Sequence, residues 1–449
     1  MSMPAYGRYR ESSVGWLGLV PTHWTDTRLR FVARLNPSKS EVAHRARDEE
    51  VSFVPMDAVG EDGSLRLNQC RVIGDVETGY TFFRDGDVTV AKITPCFENG
   101  KGAIMRGLVG GIGFGTTELI VARPLPGNSP DFLHWLFNST AFRKVGEGAM
   151  YGAGGQKGVP EDFVRDFALA LPTPSEQSAI AAFLDRETDK IDALVEAQRR
   201  LIELLKEKRQ AVISHAVTKG LDPAAPLKDS GVEWLGEVPA HWSLTTVGRV
   251  CDALSYGFTN PMPTADEGPY MLTANDIGDG RINFETARRT TWEAYQALTA
   301  KSRPQSGDIL LTKDGTLGRI AVHDGQDACI NQSVAFLRTV RSIVSPEFLA
   351  PALSSGVYQD RMIFEAGGTT IKHIYISRLA KMALAVPPLQ EMAEIAAWCE
   401  RALANADQLI EAALRGIELL GERRSALISA AVTGKIDVRG LVLDQAEAA

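Results

Sequence analysis

The chain is written twice, and that constrains it more than any other feature. Trp16-Leu17-Gly18-Leu19-Val20-Pro21-Thr22-His23-Trp24 recurs as Trp234-Leu235-Gly236-Glu237-Val238-Pro239-Ala240-His241-Trp242, an offset of 218. Gly86-Asp87-Val88 with Lys92 is answered by Gly307-Asp308-Ile309 with Lys313 at an offset of 221, and Pro130-Asp131-Phe132-Leu133 by Pro346-Glu347-Phe348-Leu349 at 216. From Ile202-Glu203-Leu204-Leu205 through Ala216-Val217-Thr218 to Asp222, the match to Ile417-Glu418-Leu419-Leu420, Ala431-Val432-Thr433 and Asp437 holds a constant offset of 215. Such a period far exceeds the roughly 20 to 50 residues of solenoid repeats, so the repeated units are whole domains. Agreement is tight in the last quarter of each copy and scattered before it, which predicts two divergent domains on two near-identical supports.

Each support reads as a long helix. Pro172 and Pro174 precede Ser175-Glu176, and Pro387-Pro388 precede Leu389-Gln390-Glu391, so proline and first-turn acids mark both starts. Gly220 and Gly434 mark the stops. An alternating four-then-three step from Ile180 gives Leu184, Glu187, Ile191, Leu194, Gln198, Leu201, Leu205, Lys208, Val212 and His215. The same step in the second copy runs from Ile395 through smaller residues to Leu409, Ala413, Gly416, Leu420, Arg423, Leu427 and Ala430. A helix from Ser175 to about Thr218 would be roughly 65 Å long, too long for one compact domain to bury. Its stripe therefore predicts a second helix as partner, paired antiparallel because the chain must return. The expected pairing residues are Ile191, Leu194, Leu201, Leu205, Val212, Leu409, Leu420 and Leu427. Two independent surface helices are the alternative.

The resulting division is a first domain at 1–174, a central helical spacer at 175–222, a second domain at 223–386, a C-terminal helical spacer at 387–438 and a tail at 439–449. In both domains short β-rich runs (87–91, 119–122, 308–312, 333–337) alternate with Gly, Asp and Asn turns, and a helix follows Pro130 and Pro346. The fold class is α+β, two tandem globular domains each followed by a long helix.

Catalytic signatures are missing. Gly111-Ile112-Gly113-Phe114-Gly115 resembles half a dinucleotide loop but lacks the third spaced glycine, and is better read as a turn between strands. The seven histidines form no His-Glu-x-x-His pair, and neither a Gly-x-Ser-x-Gly elbow nor a phosphate-binding Gly-x-x-x-x-Gly-Lys loop occurs. No lysine has an acid two positions before it, as metal-dependent nucleases commonly do, and Asn260-Pro261-Met262-Pro263 is only a broken echo of an amino-methyltransferase motif. The five cysteines are scattered with no Cys-x-x-Cys pair, fitting reduced thiols and no zinc site. No apolar run approaches membrane-spanning length, so a soluble, cytoplasmic protein is expected.

Together these features resemble the specificity subunit of type I restriction-modification systems across nearly the whole chain. The stretch that carries the resemblance best is Gly367-Gly368-Thr369-Thr370-Ile371-Lys372-His373-Ile374, Leu379 and Ala385-Val386-Pro387-Pro388-Leu389-Gln390-Glu391. Its counterpart is Gly154-Gly155-Gln156-Lys157-Gly158-Val159, Phe163 and Leu171-Pro172-Thr173-Pro174-Ser175-Glu176-Gln177. Gly158 stands where the second copy has His373, and Met392 where the first has Gln177.

The resemblance implies a non-catalytic subunit with two target-recognition domains, each reading half of a bipartite double-stranded DNA target. The helices would act as a ruler and dock two modification subunits. Those partners would use S-adenosylmethionine to methylate adenines, and restriction subunits would use ATP and magnesium to translocate and cut DNA, leaving this chain without a cofactor, metal or catalytic residue of its own. Residues able to contact DNA are Lys92, Lys101, Arg106, Gln156 and Lys157 in the first domain, and Lys313, Arg319, Asn331, Gln332, Thr370, Lys372 and His373 in the second. Each is equally readable as a solvated charge or a turn-stabilising amide, and the glycines beside Gln156 and Lys372 as tight turns with no DNA contact. A duplicated protein-interaction scaffold is the alternative function; a nuclease or methyltransferase with an unrecognised site is a third.

A formal net charge of −8 does not by itself suit a nucleic-acid binder. Residues 1–174 carry 19 basic and 20 acidic groups and residues 223–386 carry 15 and 17, however, whereas 387–449 carry 6 and 10. The recognition domains are nearly neutral, and half the deficit lies in the final helix and tail.

Overall fold

The computed structural model describes residues 3–152, 157–278, 280–367 and 372–441. It divides into two compact units, residues 1–198 with 415–449 and residues 199–414. Each unit therefore contains a globular domain and part of both long helices. The boundaries read from the sequence follow the proline starts and glycine stops of the two helices, whereas these follow packing, which carries the helix ends into the domain cores.

In the first unit, Glu50–Val54 sits between Cys70–Val72 and Ile112–Gly115 in a four-stranded sheet, antiparallel to the former and parallel to the latter, with Thr81–Arg84 beyond. A three-stranded sheet has the order Ala33–Leu35, Leu119–Pro124, Val88–Ala91. Thr25–Arg28 pairs with Ala168–Leu171, the strand that leads into the first long helix. The second unit repeats the scheme. Ala265–Leu272 lies between Arg288–Arg289 and the parallel Ala328–Ile330, Val334–Thr339 lies between Cys251–Tyr256 and Ile309–Thr312, and Ser243–Thr246 pairs with Ala383–Val386. Helices follow both prolines, at Pro130–Phe137 and Pro346–Ser354, with the Oγ of Ser129 and of Ser345 accepting from the backbone N–H three residues on.

The repeated motifs have structural explanations. Gly86 and Gly307 adopt φ of 87° and 85°, a conformation that favours glycine. The aspartate that follows each is buried and bound by an arginine of the neighbouring strand: Arg123 donates to Asp87 at 2.6 and 2.7 Å, Arg338 to Asp308 at 2.9 and 2.6 Å. The paired His-Trp opening motif clamps the start of the long helix that follows its domain. Glu176 Oε1 lies 2.8 Å from His23 Nε2 and accepts from Trp24 Nε1 at 3.4 Å; Glu391 lies 2.6 Å from His241 Nε2 and accepts from Trp242 Nε1 at 3.0 Å. Burial raises the Glu176 pKa, but hydrogen bonds from His23, Thr173 and Trp24 outweigh it and hold the carboxyl below the ordinary glutamate range.

Gly111–Gly115 departs from the expected turn, because Ile112–Gly115 is itself a buried strand of the four-stranded sheet. A Cβ on Gly113 would stand 2.6 Å from the Phe83 ring, and one on Gly115 2.3 Å from the Val54 carbonyl oxygen. Close packing, and not a phosphate, selects glycine there. None of the cysteines is disulfide-bonded, and Cys329 and Cys399 are buried.

The long helices run Pro174–Lys219 and Leu389–Val432. In the first unit Ile180, Phe183 and Leu184 share one core with Leu427, Ile428 and Ala431, and Arg424 donates to Asp192 at 3.1 and 3.4 Å. In the second unit Ile213, Ala216 and Val217 share a core with Met392, Ile395 and Cys399, and Arg209 lies 3.5 Å from Asp407.

The inner stripe differs from the sequence reading at alternate positions. Ile191 and Leu427 are buried and Leu205, Val212 and Leu420 half-buried, but Leu194, Leu201 and Leu409 are 52, 43 and 55 % exposed. The inward residues are Thr188, Val195, Ile202, Arg209 and Ala216 on the first helix and Ile410, Arg424 and Ala431 on the second. The helical phase shared by both readings is 184, 191, 198, 205 and 212; the intervening row falls one residue later than the leucines suggest.

Candidate nucleic-acid interface

The glycine-rich segments singled out by sequence return to the same backbone junction in both domains. In the first, the Lys92 N–H donates to the Glu118 carbonyl at 2.8 Å and the Lys92 carbonyl accepts from Val159 N at 2.7 Å. In the second, Lys313 N–H donates to the Ser333 carbonyl at 2.9 Å and its carbonyl accepts from Ile374 N at 3.0 Å. Tyr151 and Gly158 exchange backbone hydrogen bonds of 3.2 and 3.0 Å, as Gly367 and His373 do at 2.9 and 3.0 Å. Ile93 then bridges Gly158 where Asp314 bridges His373.

On this shared backbone the side chains differ. Lys313 is buried, donates to Asp314 Oδ2 at 2.8 Å and has its ammonium 5.2 Å from the Tyr256 ring centre. Asp314 Oδ1 lies 2.5 Å from His373 Nδ1, and the His373 ring meets Tyr375 edge-on at 4.3 Å. Tyr256 and Tyr375 are exposed. The first domain places Ile93 and Gly158 at the positions of Asp314 and His373, beside an exposed Tyr151. Sequence reading missed Asp314, which joins its neighbour Lys313 to His373, 59 positions beyond Asp314; no local signal marks an aspartate whose partner lies in a distant loop.

The remaining candidates scatter. Lys92 is half-buried beside a cavity lined by Asn36, Tyr80 and Tyr151. Lys101 donates to the Met56 carbonyl at 3.4 Å, and Arg106 is held bidentate by Asp131 at 2.7 and 2.8 Å. Lys157 is exposed, and its backbone N–H donates to Thr94 Oγ1 at 3.2 Å. Lys372 is exposed, its carbonyl accepting from Gly315 N at 3.2 Å. Arg319 faces another cavity, with Gln210, Glu347 and Glu400. Asn331 and Gln332 stand together on the strand end after Ile330. Gln156 and Thr370 lie outside the described residues. Among the described residues no group of three His, Cys, Asp or Glu is placed to hold a metal ion, and no helix is long and apolar enough to cross a membrane.

Residues 262–418 match the family model of the type I restriction modification DNA specificity domain. The EcoEI type I restriction enzyme specificity subunit of Escherichia coli is 23 % identical over 477 residues, spanning 87 % of this chain and 79 % of its own length. The EcoAI specificity subunit of the same organism is 39 % identical over 196 residues, 41 % of this chain and 33 % of its own. Among solved structures, a chain of a type I restriction-modification assembly superposes with a TM-score of 0.74 at 18 % identity, covering 93 % of this chain and 99 % of that one. The HsdS subunit of Thermoanaerobacter tengcongensis does so with 0.56 at 18 %, covering 93 and 98 %. The duplicated architecture, the specificity-domain match and relatives along most of its length agree: the chain carries a match to the type I restriction modification DNA specificity domain over residues 262–418 and is similar along most of its length to type I restriction enzyme specificity subunits.

Proposed function

We infer that this chain addresses a cytoplasmic type I restriction-modification complex to a bipartite double-stranded DNA target, one half read by each globular domain. The observation that carries this is the duplication: one backbone junction, held by matching hydrogen bonds, presents different side chains in the two domains. Different side chains on one frame suit two different half-sites, because sequence is read by side-chain contacts to base edges. The long helices pair as an antiparallel coiled coil, set the spacing between half-sites and dock two modification subunits. Exposed leucines support docking: Leu194 and Leu419 in the first unit, and Leu201, Leu204, Leu409 and Leu414 in the second. S-adenosylmethionine would bind the modification subunits, and ATP and magnesium the restriction subunits.

The test is methylation mapping of genomic DNA from cells carrying this chain with its modification subunit. Modified adenines confined to one bipartite motif with a fixed spacer are expected. Unmodified DNA, or modification at random adenines, would overturn the reading and favour a duplicated protein scaffold.

A further inference from the structure

The two domains share a second frame, on the sheets built around Glu50–Val54 and Ala265–Leu272. The Val54 carbonyl accepts from Thr116 N at 3.2 Å, and the Leu272 carbonyl from Asn331 N at 3.1 Å. The Ala58 carbonyl accepts from Arg66 N at 2.9 Å, and the Asp276 carbonyl from Asn283 N at 2.8 Å. Phe53 N donates to the Gln69 carbonyl at 2.9 Å, and Met271 pairs with Arg288. These bonds fix which positions correspond: Thr116 with Asn331, Arg66 with Asn283, Gln69 with Arg288, and, one residue before Ala58 and Asp276, Asp57 with Asn275. The backbone is kept and all four side chains differ.

In the second domain these four residues line a concavity of about 600 Å3. Asn275, Asn283 and Arg288 are exposed and Asn331 half-buried. Asn331 Oδ1 accepts from Ser333 N and Oγ at 3.0 and 2.6 Å, and Asn283 Oδ1 from Glu285 N at 3.2 Å. Their amide N–H groups, and the side-chain polar atoms of Asn275 and Arg288, have no protein partner among the described residues. The acid beside them, Asp276, is buried and occupied by Thr273 and Thr286. The concavity therefore offers unpaired donors: side-chain amides suited to adenine edges and a guanidinium suited to guanine. In the first domain Asp57 and Arg66 are exposed and paired with each other, 3.7 Å apart, with Gln69 exposed nearby. That is a different donor and acceptor pattern on the same frame.

We propose that this frame is the base-reading face of each domain, with Asn275, Asn283, Arg288 and Asn331 specifying one half-site and Asp57, Arg66, Gln69 and Thr116 the other. The assignment rests on the DNA-specificity function inferred above and deepens it by naming the residues that read.

The experiment maps methylated adenines in cells expressing the full chain with its modification subunit. Asn275→Ala with Arg288→Ala should lower discrimination at one or two base positions of one half-site by about tenfold or more, leaving the other half-site and the spacer unchanged. Arg66→Ala with Gln69→Ala should do the same to the opposite half. Because these side chains are exposed, the fold should tolerate their loss. A transplant gives a second readout: Asn275→Asp, Asn283→Arg, Arg288→Gln and Asn331→Thr together should create a new base preference in the second domain's half-site. Unchanged motifs in all variants, or both half-sites relaxing together when one domain is altered, would overturn the assignment. An unaltered chain that produced no bipartite motif would instead overturn the DNA-specificity reading beneath it.

Discussion

Glu176 and Glu391 explain why a tryptophan-rich motif is kept in two otherwise divergent domains. Each carboxylate satisfies the indole N–H of a buried tryptophan and meets a histidine at the first turn of a long helix, where a negative charge also suits the helix dipole. Glu176→Ala should destabilise the first unit by about 1 to 3 kcal/mol, because the Trp24 N–H would be left unpaired in the core; Glu391→Ala should act likewise on the second. Denaturant unfolding that shows no loss for either would contradict the clamp. His134 makes a pH prediction. Burial pushes its pKa down to about 4, with Asp131 opposing and Arg424, Arg106 and Arg143 reinforcing the shift. The unfolded chain takes up this proton near pH 6.5 while the folded unit resists until about 4, so acidification through that window favours unfolding, by up to about 3 kcal/mol. His134→Gln, which cannot be protonated, should flatten the fall in stability between pH 6.5 and 4; an unchanged slope would show that other groups dominate.

At the scale of elements, both long helices, the strands 88–91 and 309–312 and the helices after Pro130 and Pro346 were legible, because proline punctuation, glycine stops and apolar runs are local signals. What was not legible is the choice between adjacent residues on a helix. A heptad stripe alternates steps of three and four, and either order fits the same anchors Ile191, Leu205 and Val212. Leucine content favoured Leu194 and Leu201, yet the second unit buries Ile202 and leaves Leu201 outside. The prediction is asymmetric. Ile202→Asp should cost several kcal/mol in thermal or chemical unfolding, as expected for a charge forced into an apolar seam. Leu201→Asp should cost less than about 1 kcal/mol but weaken copurification with the modification subunit. Equal destabilisation by the two would return the stripe to the leucines. The candidate DNA contacts were harder still. Lysines and glutamines near glycine loops can be picked from sequence, but the contact of Lys313 with Tyr256, that of its neighbour Asp314 with His373 and the pairing that places Arg288 beside Met271 join segments apart in the chain.

For the whole molecule, nearly neutral recognition domains and a net charge of −8 imply that few phosphates are neutralised by this chain alone. Its DNA affinity without partners should be weak, and the salt slope should steepen when modification subunits are added; equal slopes would mean that the chain carries the phosphate contacts itself. The spacing role proposed for the helices leads to the sharper prediction. Asp192 binds Arg424 in one unit and Arg209 binds Asp407 in the other, so 17 positions separate the paired residues on each helix. Adding seven residues within that segment of both helices keeps every stripe in phase and lengthens each by about 10 Å. A base-pair step rises about 3.4 Å, so the spacer should grow by roughly two to three base pairs, depending on how the helices incline to the duplex. Both half-site sequences should stay as they were, because the reading domains are untouched. Adding two residues instead rotates the C-terminal part of each helix by about 200° and should abolish methylation while leaving the domains folded. A seven-residue insertion that leaves the spacer unchanged in mapped genomes would refute the ruler, whatever the domains read.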